Sequence, residues 1–280
     1  MMTRVRIAYM PLATYPEVVG DSSIHAATAF AASLECEMSV TTFSVDIPQI
    51  SSPLGNLLLD VPGLIKAAED KSRAESHRLH DLVLEAAGAH FTLHCTNREV
   101  VLGGALDAAA AEARRFDLTV VPWSGQSVAS QDMGQAIVFG SGRPAILVPR
   151  STQTAIVNHV AIAWDGSRVA ARALGDALPL LAEGGRVSVL TVRDEKPLIG
   201  SDIAGALVSS LEKRGFSASA VEIDLGDRPV ARALQDSALS EGVQLLAMGG
   251  FGHSRLRDFV LGGATKGVLT DLRLPVLLSH

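Results

Sequence analysis

Apolar residues fall in two kinds of block along this 280-residue chain. Short continuous runs alternate with longer stretches in which apolar positions recur every three or four residues. In the second half the short runs are His159–Trp164, Val187–Val192, Ala218–Ile223, Leu245–Met248 and Pro275–Ser279. Runs of Val, Ile, Leu and Ala this short predict strands buried on both faces of a parallel sheet. Between them, Arg168–Leu181 is rich in Ala and Leu and stops before Gly184-Gly185, which predicts one helix. Ile203, Leu207 and Leu211 share a helix face, predicting Ile203–Arg214 with Gly215 as the stop. Pro229 predicts the first position of a helix over Pro229–Ser240 with Asp227 as its cap, and Gly263–Leu272 predicts a shorter helix. Strand alternating with helix implies right-handed crossovers and a parallel sheet.

The first half repeats the plan. Strands are predicted at Val5–Met10, Met38–Val45, Phe91–Cys95, Leu118–Val121 and Pro144–Val148, with helices at Ile24–Leu34, Ala67–Ala87 and Ala105–Arg115. Val5–Tyr9 lies over Val160–Trp164 by local likeness, and Pro144–Val148 over Pro275–Ser279. The stretch Pro48–Gly63 holds three prolines and reads as a surface loop, and Arg150–Asn158 as a short polar linker. The expectation is an α/β chain of two tandem doubly wound domains, residues 1–152 and 153–280, each with a mainly parallel five-stranded sheet flanked by helices.

Composition narrows the function. Apolar residues make up 48% of the chain, enough to bury a core, so disorder is excluded. A net charge of −6 argues against a nucleic-acid or anionic-membrane surface. Aromatics at 4% are too few for base-stacking platforms. The two cysteines, Cys36 and Cys95, are too few and too far apart for a disulfide scaffold or a thiolate zinc site. With no apolar run of about 20 residues and a strand-like start, the chain is expected to be soluble and cytoplasmic.

One stretch reads as a site. After the fourth strand of the second half, Gly249, Gly252, Gly262 and Gly263 form the pattern G-x2-G-x9-G-G. Glycines past a strand let a ligand approach backbone N–H groups, and a helix opening at Gly262-Gly263 favours an anion. On pattern alone a tight turn and a phosphate site are equally good readings. Asp165 follows the first strand of this half, where a carboxylate accepts from a nucleotide's hydroxyl or amino group. Capping the helix that begins near Ser167 would account for it as well.

The second half resembles a universal stress protein domain, and the whole chain resembles the family's tandem members. Met248-Gly249, the Gly249–Gly252 pair, Leu261-Gly262 and Leu274-Pro275-Val276-Leu277 match its C-terminal signature, and Asp165 matches its first-strand acid. The resemblance implies an adenine nucleotide alpha hydrolase-like fold. It implies nucleotide contacts at Asp165 and Val192, and at Met248, Gly249 and Gly252. The same contacts extend to Gly262, Gly263 and Ala264. ATP is the implied cofactor, in the second domain only, with no catalytic residue and no metal. The implied role is a non-enzymatic stress-response or regulatory protein acting through an unidentified protein partner, with no nucleic acid or membrane partner. The tandem domains are expected to form an intramolecular pseudo-dimer, last strands pairing near Val148 and Leu278; further homodimerisation is left open. Two alternatives remain: a nucleotide-independent partner-binding module, and a slow ATPase.

There are departures. ATP-binding members carry Ser or Thr where this chain has Gly263; Thr265 lies two residues on. In the first half Pro122 stands in the place of Gly249, Gly125 in that of Gly252, and Met10 in that of Asp165. Proline has no N–H to donate. From Pro122 to Pro144 the loop is four residues shorter than from Gly249 to Pro275. The first domain is expected to bind no nucleotide, with Trp123 and Phe139 plugging the vacated cleft.

Other candidates weigh less. Gly252-His253-Ser254-Arg255 is not a nucleophile elbow. Arg255, Arg257 and Lys266 are within reach of a phosphate but are ordinary surface cations too. His77, His80, His90 and His94 have no metal-ligand spacing, and Ala108–Ala111 is a strong helix former.

Overall fold

A computed structural model describes residues 5–48, 60–88, 91–125, 127–153, 155–193, 202–250 and 263–280. The first half runs β1 (Ile7–Ala13), α1 (Asp21–Ser33), β2 (Glu37–Asp46), α2 (Val61–Ala87), β3 (Leu93–Val101), α3 (Ala105–Ala113), β4 (Leu118–Trp123), α4 (Val128–Gly140) and β5 (Ala145–Pro149). The second runs β6 (His159–Ala163), α5 (Arg168–Ala177), a 3-10 turn (Leu178–Leu180), β7 (Arg186–Val192), α6 (Ile203–Lys213), β8 (Ser217–Ile223), α7 (Val230–Ser240), β9 (Leu245–Gly249), α8 (Gly263–Thr270) and β10 (Val276–Ser279).

The strands form one sheet in the order β3-β2-β1-β4-β5-β10-β9-β6-β7-β8. Each half contributes five parallel strands in the same internal order, so the duplicated plan is real. The join is the single antiparallel pair. Val276, Leu277 and Leu278 of β10 face Leu147, Ile146 and Ala145 of β5, which puts the last strands together where the sequence places them. Strand side chains alternate between faces, and the seam obeys this. Ile146, Val148 and Leu277 belong to one buried core; Ala145, Leu147, Val276 and Leu278 belong to the other. Both cores therefore cross from one half to the other. Each such buried aliphatic side chain contributes about 1.5–3 kcal/mol of transfer free energy.

Several element boundaries differ from expectation, each for a local reason. The helix predicted to Leu181 ends at Ala177 and tightens into the 3-10 turn, because Pro179 lacks an amide hydrogen. Pro229 is the N-cap of α7 with extended backbone (ψ 143°), not its first helical residue, and no side chain caps that helix. The start of α2 lies at Val61 rather than Ala67: the Asp60 carboxylate accepts the Gly63 N–H at 3.0 Å, with Pro62 in the first turn. The proposed loop at Pro48–Gly63 therefore ends in helix; residues 49–59 lie outside the described residues. β3 continues to Val101 through a polar run (Thr96, Asn97, Arg98, Glu99) that an outermost strand tolerates. The stretch between Pro122 and Pro144, read as a loop, contains α4, capped by Ser127 accepting from the Ser130 N–H at 3.2 Å. Among the described residues no helix is long and apolar enough to cross a membrane.

Candidate functional site

The second-half sheet runs β10-β9-β6-β7-β8, and the chain reverses its direction of winding between β6 and β9. Open α/β sheets bind ligands outside the carboxyl ends of the strands at such a switch point. Asp165 stands on one side of this crevice and Gly249 on the other.

Asp165 follows β6 in a tight turn. Its Oδ1 accepts the Ser167 N–H at 2.9 Å, and Ser167 Oγ accepts the Ala170 N–H at 3.2 Å as the N-cap of α5. Ser167, not Asp165, caps the helix; Asp165 shapes the turn before the cap. Gly166 at φ +73° lets the chain make that turn. The Asp165 side chain is exposed, and Oδ2 has no partner among the described residues. One acceptor oxygen is therefore held in place by its twin and open to a donor.

Val192 ends β7 opposite Ile223 of β8, with its side chain in the core. Met248 is likewise buried. Only their backbone atoms face the edge. Gly249 has a packing reason of its own: a Cβ there would lie 2.5 Å from Val169 Cγ2 and 2.8 Å from the Val169 backbone carbon. α5 rests on β9 so closely that a side chain has no room. Next to it, the Gly250 N–H donates to the Ser279 carbonyl at 2.7 Å. Gly263 opens α8 exposed, with no heavy atom of the described residues within 4 Å of its Cβ position. Ala264 is half-buried beside the core, and Lys266 is exposed. Thr265 is buried with Val268 and Leu269 on the packed face of α8, so it does not replace the hydroxyl missing at Gly263. Gly252 and Gly262, with His253, Ser254, Arg255 and Arg257, lie outside the described residues.

The first half ends differently at the same height. Ala8 pairs with Leu118 as Val160 pairs with Leu245, and Met38 pairs with Ala8 as Val187 pairs with Val160. This ladder moves the sequence likeness by three residues. Ala13, not Met10, occupies the place of Asp165, and Phe43 that of Val192. Met10 is fully buried within β1. Pro122 and Trp123 stand for Gly249 and Gly250.

Trp123 is buried under α4, where a Cβ on Gly134 would lie 2.8 Å from its ring. It fills the cleft as expected. Phe139 does not: its ring stands edge-on to His280 at 5.5 Å, by the seam. Backbone groups at this edge are taken up internally. Ser130 Oγ donates to the Pro122 carbonyl and accepts the Ser124 N–H, both at 3.0 Å. The remaining cavity, lined by Pro11, Leu12, Ala13, Pro122 and Met133, measures about 20 Å3. That is room for a water molecule, against the several hundred Å3 of a small-molecule site.

Other reactive side chains do not gather into a site. Burial raises the Cys36 thiol to about 11, leaving it protonated. His80 is half-buried on α2 against Thr42, His77 and His94 are exposed on separate elements, and His90 lies outside the described residues. Among the described residues, no three of His, Cys, Asp and Glu group so as to hold a metal ion.

The universal stress protein family model matches residues 157–280. Residues 157–280 carry a universal stress protein domain. A curated relative, the universal stress protein Slr1230 of Synechocystis sp., is 29% identical over 153 residues, covering 51% of this chain and 49% of that protein. The chain thus spans about half the length of the curated relative it matches. Among solved structures, a universal stress protein of Archaeoglobus fulgidus superposes over 97% of both chains at TM-score 0.69 and 15% identity. A Pseudomonas aeruginosa structure described as of the same family superposes over 98% of this chain and 93% of its own at TM-score 0.53 and 13% identity. At these identities the structural likeness concerns the fold, and it extends the universal stress protein fold to the first half.

Proposed function

We propose that the universal stress protein domain binds an adenine nucleotide, ATP, across its upper edge. Asp165 accepts from a hydroxyl or amino group of the adenosine. Backbone N–H groups of the glycine segment and the α8 N-terminus receive the phosphates. The observation that carries this reading is the open Oδ2 of an exposed, turn-locked Asp165 across the switch-point crevice from Gly249. With Gly263 in place of a hydroxyl residue and Thr265 buried, phosphate binding rests on backbone donors. Such a site lacks the side-chain group that phosphoryl-transfer sites use to hold Mg2+. The proposed role is therefore a nucleotide-responsive, non-enzymatic stress regulator acting through a protein partner, with the closed first half serving packing or partner contact.

Equilibrium dialysis of ATP against wild type, Asp165→Ala and Gly252→Val tests this. Wild type is expected to bind one ATP per chain, and each substitution to weaken binding by about tenfold or more, the worth of a hydrogen bond to a charged group. No binding, or equal affinity in all three proteins, overturns it. The glycine at 263 favours one second reading, a partner-binding module independent of nucleotide, and those results would select it.

A further inference from the structure

The two halves border a second, half-open cavity of about 500 Å3 at the opposite end of the first-half strands from the edge just described. Its walls come from the lower edge of the first sheet, just ahead of β1, β4 and β5, and from the end of α5 with its 3-10 turn. The volume falls within the range of small-molecule sites, which favour domain interfaces. Leu118 and Leu180, both buried, form an apolar part of the lining, and four charged side chains reach the cavity: Arg6, Arg143, Asp117 and Asp176.

These four charges are not equally satisfied. Asp117 Oδ2 accepts the Ile7 N–H at 2.9 Å. Asp176 Oδ2 is ion-paired with Arg172 Nε at 3.1 Å and accepts from Ser279 Oγ at 2.8 Å. Asp176 is thus neutralised by Arg172, while Asp117 has only a neutral backbone partner, so the cavity carries two unpaired cations against one unpaired carboxylate. The guanidiniums have only backbone carbonyls. Arg6 donates to the Pro179 carbonyl, and Arg143 Nε donates to the Arg114 carbonyl at 3.3 Å. Neither has a carboxylate partner among the described residues. A guanidinium carries five N–H donors in a planar fork. A carbonyl neutralises no charge, so both cations keep donors and full charge at the cavity.

We propose that this interdomain cavity binds a small polyvalent oxyanion, held by Arg6 and Arg143 in charge-assisted hydrogen bonds. Phosphate esters and polycarboxylates share that chemistry. The site is independent of the nucleotide edge and does not rest on that edge being occupied.

Calorimetric titration of the full chain with pyrophosphate, and separately with citrate, tests the site and distinguishes the two sources. Saturable binding of one or both at one per chain is expected. Arg143→Gln, an exposed substitution, is expected to weaken it about tenfold or more. Arg143→Lys, which keeps the charge but loses the fork, is expected to recover part of the affinity. Gly252→Val, in the glycine segment assigned to the nucleotide, is expected to bind the probe as wild type does. Urea unfolding of Arg143→Gln at the wild-type midpoint shows that the fold is retained. No saturable binding of either probe overturns the proposal. So does equal affinity of wild type and Arg143→Gln, or binding that Gly252→Val abolishes.

Discussion

Asp165, Val192, Gly249 and Gly250 stand at the upper edge of one half of the sheet; at the same register the other half has Ala13, Phe43, Pro122 and Trp123. The strand ladders correspond up to this edge, so the difference at these positions lies in side chains. In the second half Gly249 and Gly250 carry no side chain, and Asp165 keeps one carboxylate oxygen open. In the first, an indole fills the volume, proline deletes a donor, and Ser130 occupies the Pro122 carbonyl and the Ser124 amide. Closing an α/β cleft therefore needs no change of fold. It needs bulk at positions where only glycine leaves space and an internal partner for the polar groups that a ligand would have satisfied.

The largest test of this contrast is Trp123→Ala. Truncating a buried indole is expected to cost about 3–5 kcal/mol of stability by urea unfolding. ATP stoichiometry is expected to stay at one per chain, since Ala13 supplies no side-chain acceptor and Pro122 no backbone N–H donor. Two ATP per chain in that variant would break the comparison. Gly249→Val is expected to lose about 1–3 kcal/mol by the same measurement, as overpacking forces α5 off β9. Gly263→Ser, where nothing among the described residues lies within 4 Å, is expected to leave stability within about 0.5 kcal/mol and to tighten ATP binding. Unchanged affinity would mean that the missing hydroxyl does not matter.

The smallest effect is a pH dependence to which both halves contribute. His80 in α2 and His159 in β6 are both pushed below the ordinary imidazole value of 6.5, chiefly because burial disfavours the charged ring. Arg186 adds to this at His159, its Nε donating to Nδ1 at 3.0 Å while Nε2 bonds Ser188 Oγ at 2.8 Å. The unfolded chain takes up these protons first as pH falls. Stability is therefore full above about pH 6.5 and declines as pH drops from there through the lower folded values. Thermal unfolding compared at about pH 7.5 and about pH 5.5 is expected to show the loss, and His159→Gln to remove the second half's share of it.

Much of this was legible in the sequence, and the gaps have physical causes. The parallel strands show as continuous aliphatic runs because both their faces are covered. The glycine segment and Asp165 stand out because few residues tolerate those backbones or leave a charge at a strand end. Register did not show: Val5–Tyr9 and Val160–Trp164 share an alternation that fits at more than one offset, and only the hydrogen-bond ladder fixes it. Helix α4 was hidden because Gly134, Gln131 and Gln135 dilute its apolar period, and Gly134 is there to clear the Trp123 ring. The Ser127 cap and the Met133–Ile137 spacing were the signals that could have found it. The interdomain cavity could not be read at all, since Arg6, Arg143 and Asp176 meet only when the seam forms.

Diluting a dimer separates it, whereas diluting this chain does not part β5 from β10. Residues 150–158 keep both strands on one polymer. Each strand therefore meets the other at an effective concentration on the order of millimolar for a short tether, whatever amount of protein is present. The pairing of Ala145–Leu147 with Val276–Leu278 is a first-order equilibrium, and it closes at the same temperature in a trace solution as in a crowded one.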